Sequence, residues 1–448
     1  MLDLQQRITT IFDYAYTSSA IRIPSVTCSE VGKLLHVGMF IEEVNRRKPA
    51  FYFSASERKS LNGNDGPFSN KVAKEVRHTY KIMNDTWRLY RGKICFSDKD
   101  ISFIVGQLSG FEISNPAHDV FGDALEIFRS KWAKQEGGQF FTDQLVTHLA
   151  IRVLNFDPIA GDDLVDVCAG TGGFLLAGLN RIKELADESG RKEDAVASIA
   201  AKSLRGLEID EQVASLGNSA LLSRTGDLAS ELIRCANSLD IEAISGDEGT
   251  LKLGAHLCIA TNPPFGAKTP VRDENILNQY ELAKINGSSE DDLVRSTKKF
   301  FRRSPDILFL ETNMRLLKPG KGRMAIVVPY QVLSGPQTYY ARDWLLRNFH
   351  VEAVIDLPNE TFQPHTGTKT SLLVARRRAR PLISAREASD SNVFMSIPRW
   401  IGHDRRGHPI YAKTPDGLLS TERLTDFPQV EAAYKLHLED KDPTEIHS

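Results

Sequence analysis

The sequence predicts an α/β fold, in which a doubly wound and mostly parallel sheet follows a smaller domain of helices. After about residue 116, short apolar or β-branched runs alternate with stretches of helical periodicity. Several of these runs end in turns that carry glycine, proline, an acid or an asparagine. Such alternation favours a sheet that binds its ligand at the carboxyl ends of the strands.

The strands are predicted from seven runs, at 164–168, 204–209, 241–245, 256–261, 323–329, 351–357 and 370–375. Helices are predicted over 174–186 and over 306–317, the second of which ends before Pro319 and Gly320. Another helix-like stretch covers 118–134. The segment GQFFT (138–142) leads into a further helix, for which Thr142 is well placed as the N-cap.

Three regions follow from this pattern. Residues 1–115 are predicted to form a helical domain, with amphipathic helices at 31–44 and 71–90 and a loop at 60–70. Residues 116–380 contain the predicted sheet. Residues 381–448 are predicted to hold a β-hairpin that turns at 404–407, followed by an acidic, polar tail.

The composition excludes several classes of protein. The chain has 56 lysines and arginines against 58 aspartates and glutamates, which excludes a protein that coats nucleic acid through its net positive charge. Any binding of nucleic acid therefore needs local basic patches or a partner. The five cysteines are far apart and form no CxxC pair, which favours a reducing compartment and disfavours a metal site. No apolar run approaches the ~18 residues of a membrane span, and we expect a cytoplasmic protein.

The first chemical motif is DVCAGTGGF (166–174), in which a strand runs through a glycine-rich turn into a helix. Gly170, Gly172 and Gly173 would allow close approach of a ligand, with Ala169 and Thr171 between the strand and the helix. Asp166 favours a ligand that carries an amine. The motif is neither GxGxxG nor a P-loop, and a tight turn without a ligand is the alternative.

Two further acids stand where predicted strands end. Glu208 closes the second run and is placed to accept both ribose hydroxyls of an adenosine. Asp247 follows the run at 241–245, where it could meet the adenine amino group. Taken singly, each acid is better explained as a surface residue.

The second chemical motif is Asn262-Pro263-Pro264-Phe265, directly after an apolar strand. An amine conjugated to a nucleobase is a poor nucleophile, because its lone pair is delocalised into the ring. The Asn262 amide oxygen and the Pro263 carbonyl could accept hydrogen bonds from the two N–H groups of this amine and so favour a tetrahedral nitrogen. The two prolines stiffen the loop, and Phe265 offers a face for an extruded base. A rigid turn without function is the alternative.

GQFFT, DVCAGTGGF and NPPFG, in this order, resemble the motifs of N6-adenine DNA methyltransferases, and more closely those of the modification subunit of type I restriction systems. The resemblance covers most of 116–380 and implies the class I fold of S-adenosylmethionine-dependent methyltransferases. It implies that S-adenosylmethionine is held by Glu208, by Ala169 to Gly173 and by a turn at 139–143, and that Asn262 to Phe265 form the catalytic loop. That turn consists of Gln139, Phe140, Phe141, Thr142 and Asp143. Asp143 stands where the family usually has proline, as an early helix residue with little effect on chemistry.

Partners are predicted more coarsely. Lys298, Lys299, Arg302 and Arg303 are candidates for phosphate contacts with double-stranded DNA, although a solvated face explains this stretch equally well. The basic run at 375–380 is better explained as charges on an edge strand that prevent its pairing with another chain. Residues 381–448 are short for a domain that reads bases, so we expect a separate specificity subunit, and a restriction subunit could join it.

Two other classes of function stay open at this point. Loops of the NPPF type also resemble those of RNA guanine-N2 and protein glutamine methyltransferases, which apply the same amine chemistry to other substrates. A catalytically silent assembly subunit that keeps the fold is the alternative without enzymatic activity.

Overall fold

A computed structural model gives the architecture of the chain. It describes residues 2–21, 24–45, 48–62, 66–87, 90, 92–113, 142–225, 231–246, 249–266, 270–296, 301–364, 366–388, 392–414 and 416–439. The chain divides into two compact units, one of Met1–Gly137 with Asp210–Ile233 and one of Gly138–Ile209 with Arg234–Ser448. The domain boundaries proposed above at 115 and 380 remain predictions.

The first unit is mainly helical in the residues that the structure describes. Its helices before residue 114 are α1 (Leu2–Ser18), α2 (Pro24–Val44), α3 (Ala55–Leu61), α4 (Pro67–Trp87) and α5 (Asp98–Gln107). Reciprocal caps start two of them, because Ser54 pairs with Glu57 ahead of α3 and Ser97 pairs with Asp100 ahead of α5. The predicted helix at 31–44 is confirmed as part of α2, and the one at 71–90 is confirmed as far as Trp87, where α4 ends.

Helix α9 (Glu211–Thr225) also belongs to the first unit, although it follows the second strand of the sheet in sequence. Its Ser219 hydroxyl lies 2.8 Å from the Tyr90 hydroxyl, which in turn lies 2.7 Å from Nδ1 of His36. Burial lowers the pKa of His36 to about 3, so this imidazole is neutral within the core of the unit.

The second unit contains an eight-stranded sheet in the order β10-β8-β9-β7-β4-β1-β2-β3. The strands are β1 (Leu164–Asp166), β2 (Leu204–Glu208), β3 (Ile233–Cys235), β4 (Cys258–Thr261), β7 (Arg323–Pro329), β8 (Phe349–Asp356), β9 (Thr370–Arg377) and β10 (Phe394–Ser396). β9 runs antiparallel to β7 and β8, whereas β1 is parallel to both β2 and β4. A mostly parallel α/β sheet is thereby confirmed.

Helices pack on this sheet, and two small hairpins form separate two-stranded sheets. The helices are α6 (Gln144–Val153), α7 (Gly173–Glu188), α8 (Glu193–Ser203), α10 (Ile241–Ser245), α11 (Glu274–Asn278), α12 (Pro305–Leu316), α13 (Tyr330–Ser334), α14 (Tyr339–Asn348) and α15 (Phe427–Glu439). The hairpins pair β5 (Ile285–Asn286) with β6 (Val294–Arg295) and β11 (Tyr411–Lys413) with β12 (Leu419–Arg423). Val165, Ile259, Met324 and Trp344 are fully buried members of the core between these layers.

Some sequence predictions were wrong. The run at 241–245 is helix α10 rather than a strand, because Asp240 caps it by accepting the N–H of Ala243, and the third strand is instead β3. The hairpin predicted around 404–407 forms only in short form, as a tight turn with an antiparallel bridge between His403 and Pro409. Phe394–Ser396 instead joins the main sheet parallel to β8. The segment predicted as a polar tail contains α15. The predicted helix at 118–134 lies outside the described residues.

No helix in the described part of the chain combines the length and the apolar character that crossing a membrane requires.

Candidate active site

The candidate site lies at the carboxyl ends of three adjacent parallel strands of the second unit. Asp166 is the last residue of β1, Glu208 the last of β2 and Thr261 the last of β4. β1 pairs with β2 on one side and with β4 on the other, so the register brings all three ends to the same edge. The sequence prediction placed Asp166, Glu208 and the Asn262 loop at strand ends, and the structure brings these ends together.

Asp166 is fully buried and is held by its neighbours through one oxygen. Its Oδ1 accepts the Thr261 hydroxyl at 2.8 Å and the Cys168 N–H at 3.1 Å. Its Oδ2 is buried and has no hydrogen-bond partner in the described residues. Burial, and to a smaller extent the charge of Glu208, raises the pKa of Asp166 to about 7 despite the two hydrogen bonds. An unpartnered carboxylate oxygen at this edge suits a cationic amine.

The glycine-rich turn is shaped by backbone conformations that favour glycine. Gly170 has φ +52° and Gly172 has φ +80°, both in the left-handed region, and Gly172 is the N-cap residue of α7. The turn is closed by the Gly172 N–H donating to the Ala169 carbonyl at 2.8 Å. It is fixed to the next strand, because Gly170 N–H donates to Oε2 of Glu208 at 2.9 Å. The backbone therefore passes this edge with little bulk, as a bound ligand would require.

Asn262 begins the loop that follows β4, and its amide is oriented by a residue distant in sequence. Its Nδ2 donates to the Thr142 hydroxyl at 2.9 Å. Its Oδ1 is covered by the protein and has no hydrogen-bond partner that the structure describes. A covered, unpaired carbonyl oxygen costs free energy, roughly 1–3 kcal/mol, which a donor such as an amine N–H would recover.

The start of α6 differs from the prediction. Asp143, not Thr142, is the N-cap, and its Oδ1 accepts the Leu145 N–H at 2.7 Å. Asp143 Oδ2 lies 3.7 Å from Nη1 of Arg423 and 4.0 Å from Nε2 of His403. An acid at this position can cap the helix through its side chain, which a proline could not do. The Asp143 carboxylate is engaged in these contacts, and its predicted role in cofactor binding stays a prediction.

The other end of the loop lies near a residue that the sequence reasoning missed. Gly266, at φ +137°, places its N–H close enough to the buried carboxylate of Asp306, in the first turn of α12, to favour the charged form of that acid. The Ser304 hydroxyl donates to Asp306. Burial raises the pKa of Asp306, which the Ser304 hydrogen bond and the nearby Gly266 N–H partly offset. The available signal was Ser-Pro-Asp (304–306), a helix start with an acid in its first turn.

Aromatic packing fixes the remainder of the loop. The Phe265 ring lies edge to face against the buried Phe362 ring, with 5.5 Å between centroids and 85° between planes. Pro263 is buried and Pro264 is exposed. Phe362 follows β8 and was not predicted, since an aromatic residue in a turn carries no pattern that assigns it to a site.

The basic stretch is only partly available for DNA. The prediction that Arg303 contacts phosphate was wrong, because its guanidinium is buried. It donates to the Leu282 and Ile285 carbonyls and lies 4.2 Å from the centroid of the Tyr340 ring. Arg302 is exposed, while Lys298 and Lys299 lie outside the described residues. In the run at 375–380, Arg377 donates to the Leu317 carbonyl at 2.5 Å.

Four residues of the predicted cofactor site cannot be placed. Gln139, Phe140, Phe141 and Asp247 lie outside the described residues. The proposed position of Asp247 at the end of a third strand loses its basis, since 241–245 is helical. Their roles stay predictions.

Comparison with known proteins identifies the family. A family model described as N-6 DNA Methylase matches residues 116–395, which is more than half of the chain. The chain belongs to this family. Membership agrees with the resemblance inferred from the motifs and implies the methyl donor of such enzymes, S-adenosylmethionine.

Individual proteins are similar to the chain in sequence or in fold. The type I restriction enzyme EcoEI methylase subunit of Escherichia coli is 26% identical over 266 residues, which are 59% of this chain and 47% of that protein. This chain thus spans about half the length of that curated relative. The type I restriction-modification system methyltransferase subunit from Streptococcus thermophilus has a similar fold, with a TM-score of 0.58 at 16% identity over 97% of this chain and 93% of that chain. A modification subunit assigned to a type I restriction enzyme of Vibrio vulnificus YJ016 gives a TM-score of 0.58 at 18% identity, over 98% and 90%.

The described residues of this N-6 DNA Methylase family member fit the cofactor. Asp166 Oδ2 is an unpartnered acceptor at the strand edge, and Gly170 leaves space, because a Cβ added there would meet nothing within 4 Å. Glu208 is only 8% exposed and stands at the neighbouring strand end. Two carboxylates that can accept hydrogen bonds, next to a backbone turn without side-chain bulk, suit the amino group and the ribose hydroxyls of S-adenosylmethionine.

Proposed function

We propose that the chain transfers a methyl group from S-adenosylmethionine to the N6 amine of adenine in double-stranded DNA. The observation that carries the proposal is the orientation of the Asn262 amide, whose nitrogen is held by Thr142 while its oxygen has no partner among the described residues. This oxygen lies in the loop after β4, next to the strand that ends in Asp166.

The chain's own residues account for the chemistry as follows. Asn262 Oδ1 and the Pro263 carbonyl accept the two N–H bonds of the target amine, which localises its lone pair on nitrogen. S-adenosylmethionine, when bound, would supply the electrophilic methyl group and leave as the neutral thioether. Asp166 would hold the cofactor's amine, Glu208 its ribose hydroxyls, and the turn from Ala169 to Gly173 would pass close to it. The methylated N6, positively charged once the methyl group is attached, would release its extra proton to water.

Phe265 contributes stacking. A base inside a duplex must leave the helix before its amine can reach such a loop, and an aromatic face stabilises the extruded base by roughly 1–3 kcal/mol. The contact with Phe362 sets the plane of the Phe265 ring.

We further propose that the chain acts as the modification subunit of a type I restriction-modification assembly and that a separate specificity subunit chooses the DNA sequence. The net charge of −2 and the burial of Arg303 support this, since a sequence-specific binder usually presents a strongly basic face. Alone, the chain is expected to bind duplex DNA weakly, with steep salt dependence and no sequence preference.

The test is transfer of labelled methyl from S-adenosylmethionine to unmethylated duplex DNA, to RNA and to protein, by the chain alone and with a cognate specificity subunit. We expect site-specific N6-methyladenine only with the subunit, and a rate lowered about 100-fold or more by Asn262→Ala with cofactor affinity unchanged. Transfer to RNA or protein in preference to DNA contradicts the proposed substrate. Methylation confined to one DNA motif without a partner contradicts the proposed division of labour.

A further inference from the structure

The hydroxyl of Thr142 and the amide of Asn262 are 120 residues apart in sequence but lie at hydrogen-bond distance, 2.9 Å. Thr142 directly precedes the N-cap of α6, where Asp143 accepts the Leu145 N–H and faces Arg423 at 3.7 Å. The backbone that carries the hydroxyl is therefore fixed by the helix start. Asn262 lies at the end of β4, a strand paired with β1 and β7. Two rigid elements thus define this contact.

The contact matters because the two ends of an asparagine side chain have opposite polarity. To accept an N–H of the target amine, the oxygen must face the amine and the NH₂ group must be held elsewhere. An amide turned by 180° would direct its own N–H groups at those of the amine. In the structure, Nδ2 is engaged with Thr142, and Oδ1 has no partner within the part of the chain that is described.

We infer that Thr142 is a positioning residue for methyl transfer, whose hydroxyl selects the catalytically competent orientation of the Asn262 amide. The inference rests on the proposed function and deepens it. It gives Thr142 a role distinct from cofactor binding. A hydroxyl that accepts a hydrogen bond from Asn262 can still donate its own proton to the cofactor, so the catalytic rate and the cofactor affinity must be measured separately.

Two substitutions separate the hydroxyl from the size of the side chain. Thr142→Val keeps the shape but removes the oxygen, whereas Thr142→Ser keeps the oxygen. With the specificity subunit and saturating cofactor, we expect Thr142→Val to lower kcat about 10- to 100-fold, as loss of one preorganising contact does. The KM for DNA and the Kd for S-adenosylmethionine should stay within about threefold, and Thr142→Ser should restore kcat. An unchanged kcat with weakened cofactor binding would identify Thr142 as a cofactor ligand only and overturn the inference.

A double-mutant cycle tests whether Thr142 acts through Asn262. If it does, Thr142→Val should change the residual rate of Asn262→Ala by less than about threefold, because the amide that it orients is gone. Full additivity of the two losses would overturn the inference.

A neutron crystal structure of the Thr142→Val chain, in which the oxygen and the nitrogen of an amide are distinguishable, gives a readout that needs no activity. An amide of Asn262 that rotates or takes two orientations supports the inference, and an amide that keeps its orientation overturns it. Should the wild-type chain and its partner fail to methylate DNA, the proposed substrate is wrong. The amide orientation in the variant still decides the role of Thr142.

Discussion

The backbone N–H of Gly170 donates to Oε2 of Glu208 across 2.9 Å. Glu208 ends β2 and Gly170 lies in the turn after β1, so the bond ties two strand ends together at the candidate cofactor site. One acid thereby shapes the glycine turn and stands where a ribose would be bound.

The first prediction separates these two roles of Glu208. Glu208→Ala should weaken S-adenosylmethionine binding by about 1.5–3 kcal/mol, roughly 10- to 150-fold, because charge-assisted hydrogen bonds to the ribose are lost. Glu208→Gln should weaken it less, since an amide oxygen can still accept the Gly170 N–H. Calorimetric titration measures both. Glu188→Ala, an exposed acid at the end of α7, is the matched control. An unchanged affinity in Glu208→Ala would remove this residue from the site.

The second prediction concerns pH. Burial raises the pKa of Asp166 to about 7, so this carboxyl is largely protonated at pH 5.5 before the cofactor binds. A bound ammonium favours the carboxylate, so binding releases a proton below pH 7 and affinity increases with pH. We expect about a tenfold gain in S-adenosylmethionine affinity from pH 5.5 to 7. The measurement stops at pH 7 because the α-amino group of the cofactor, with a pKa of about 7.7–8.0, loses its charge at higher pH.

Asp166→Asn provides the control for this profile. The asparagine does not titrate, so its affinity should be lower at pH 7 and nearly independent of pH over the same range. A wild-type profile as flat as that of Asp166→Asn would show that Asp166 does not face the cofactor's amine.

The third prediction tests the acid at the far end of the catalytic loop. Asp306 is 3% exposed, accepts the Ser304 hydroxyl and lies near the N–H of Gly266, the residue after Phe265. Asp306→Ala removes this acceptor and allows the loop to shift, which should lower the single-turnover methylation rate about tenfold or more. Asp306→Asn keeps an acceptor oxygen and should lose less. Cofactor affinity should stay near wild type in both, and a matching loss of cofactor binding would argue for general disruption instead.

The carboxyl-end placement of Asp166, Glu208 and Asn262 could be predicted from the sequence. Each follows a short apolar run and precedes glycine, proline or a helix-like stretch, and parallel strands bring such ends to one edge. The run at 241–245 was mispredicted for a complementary reason. Five residues, of which four are apolar or small and one is Glu242, fit a strand or one helical turn equally well, and the Asp240 cap decides between them.

Contacts between distant segments could not be predicted. Nothing in the local pattern of Arg303 distinguishes a solvated cation from one buried against Tyr340. The same is true of the Thr142–Asn262 hydrogen bond and of the proximity of Asp306 to Gly266, because each brings together residues that are distant in sequence. It is also true of α9, which belongs to the helical unit although it follows β2 in sequence. Periodicity describes one element at a time and does not report which elements meet.

The last prediction concerns the packing of the helix that carries the glycine turn. Gly178 lies in α7, and a Cβ added there would stand 2.6 Å from Cδ2 of Leu164 in β1 and 3.2 Å from Cδ2 of Leu204 in β2. Both leucines are fully buried. Gly178→Ala gains up to about 1 kcal/mol of helix propensity, which the clash should cancel or exceed. Gly178→Val adds more bulk and should lower the free energy of unfolding by about 1–3 kcal/mol or more, measured by urea denaturation. Gly367→Ala, where an added Cβ meets nothing within 4 Å and φ is not positive, should be nearly neutral. A Gly178→Val chain as stable as Gly367→Ala would mean that α7 does not pack against β1 and β2 at this distance.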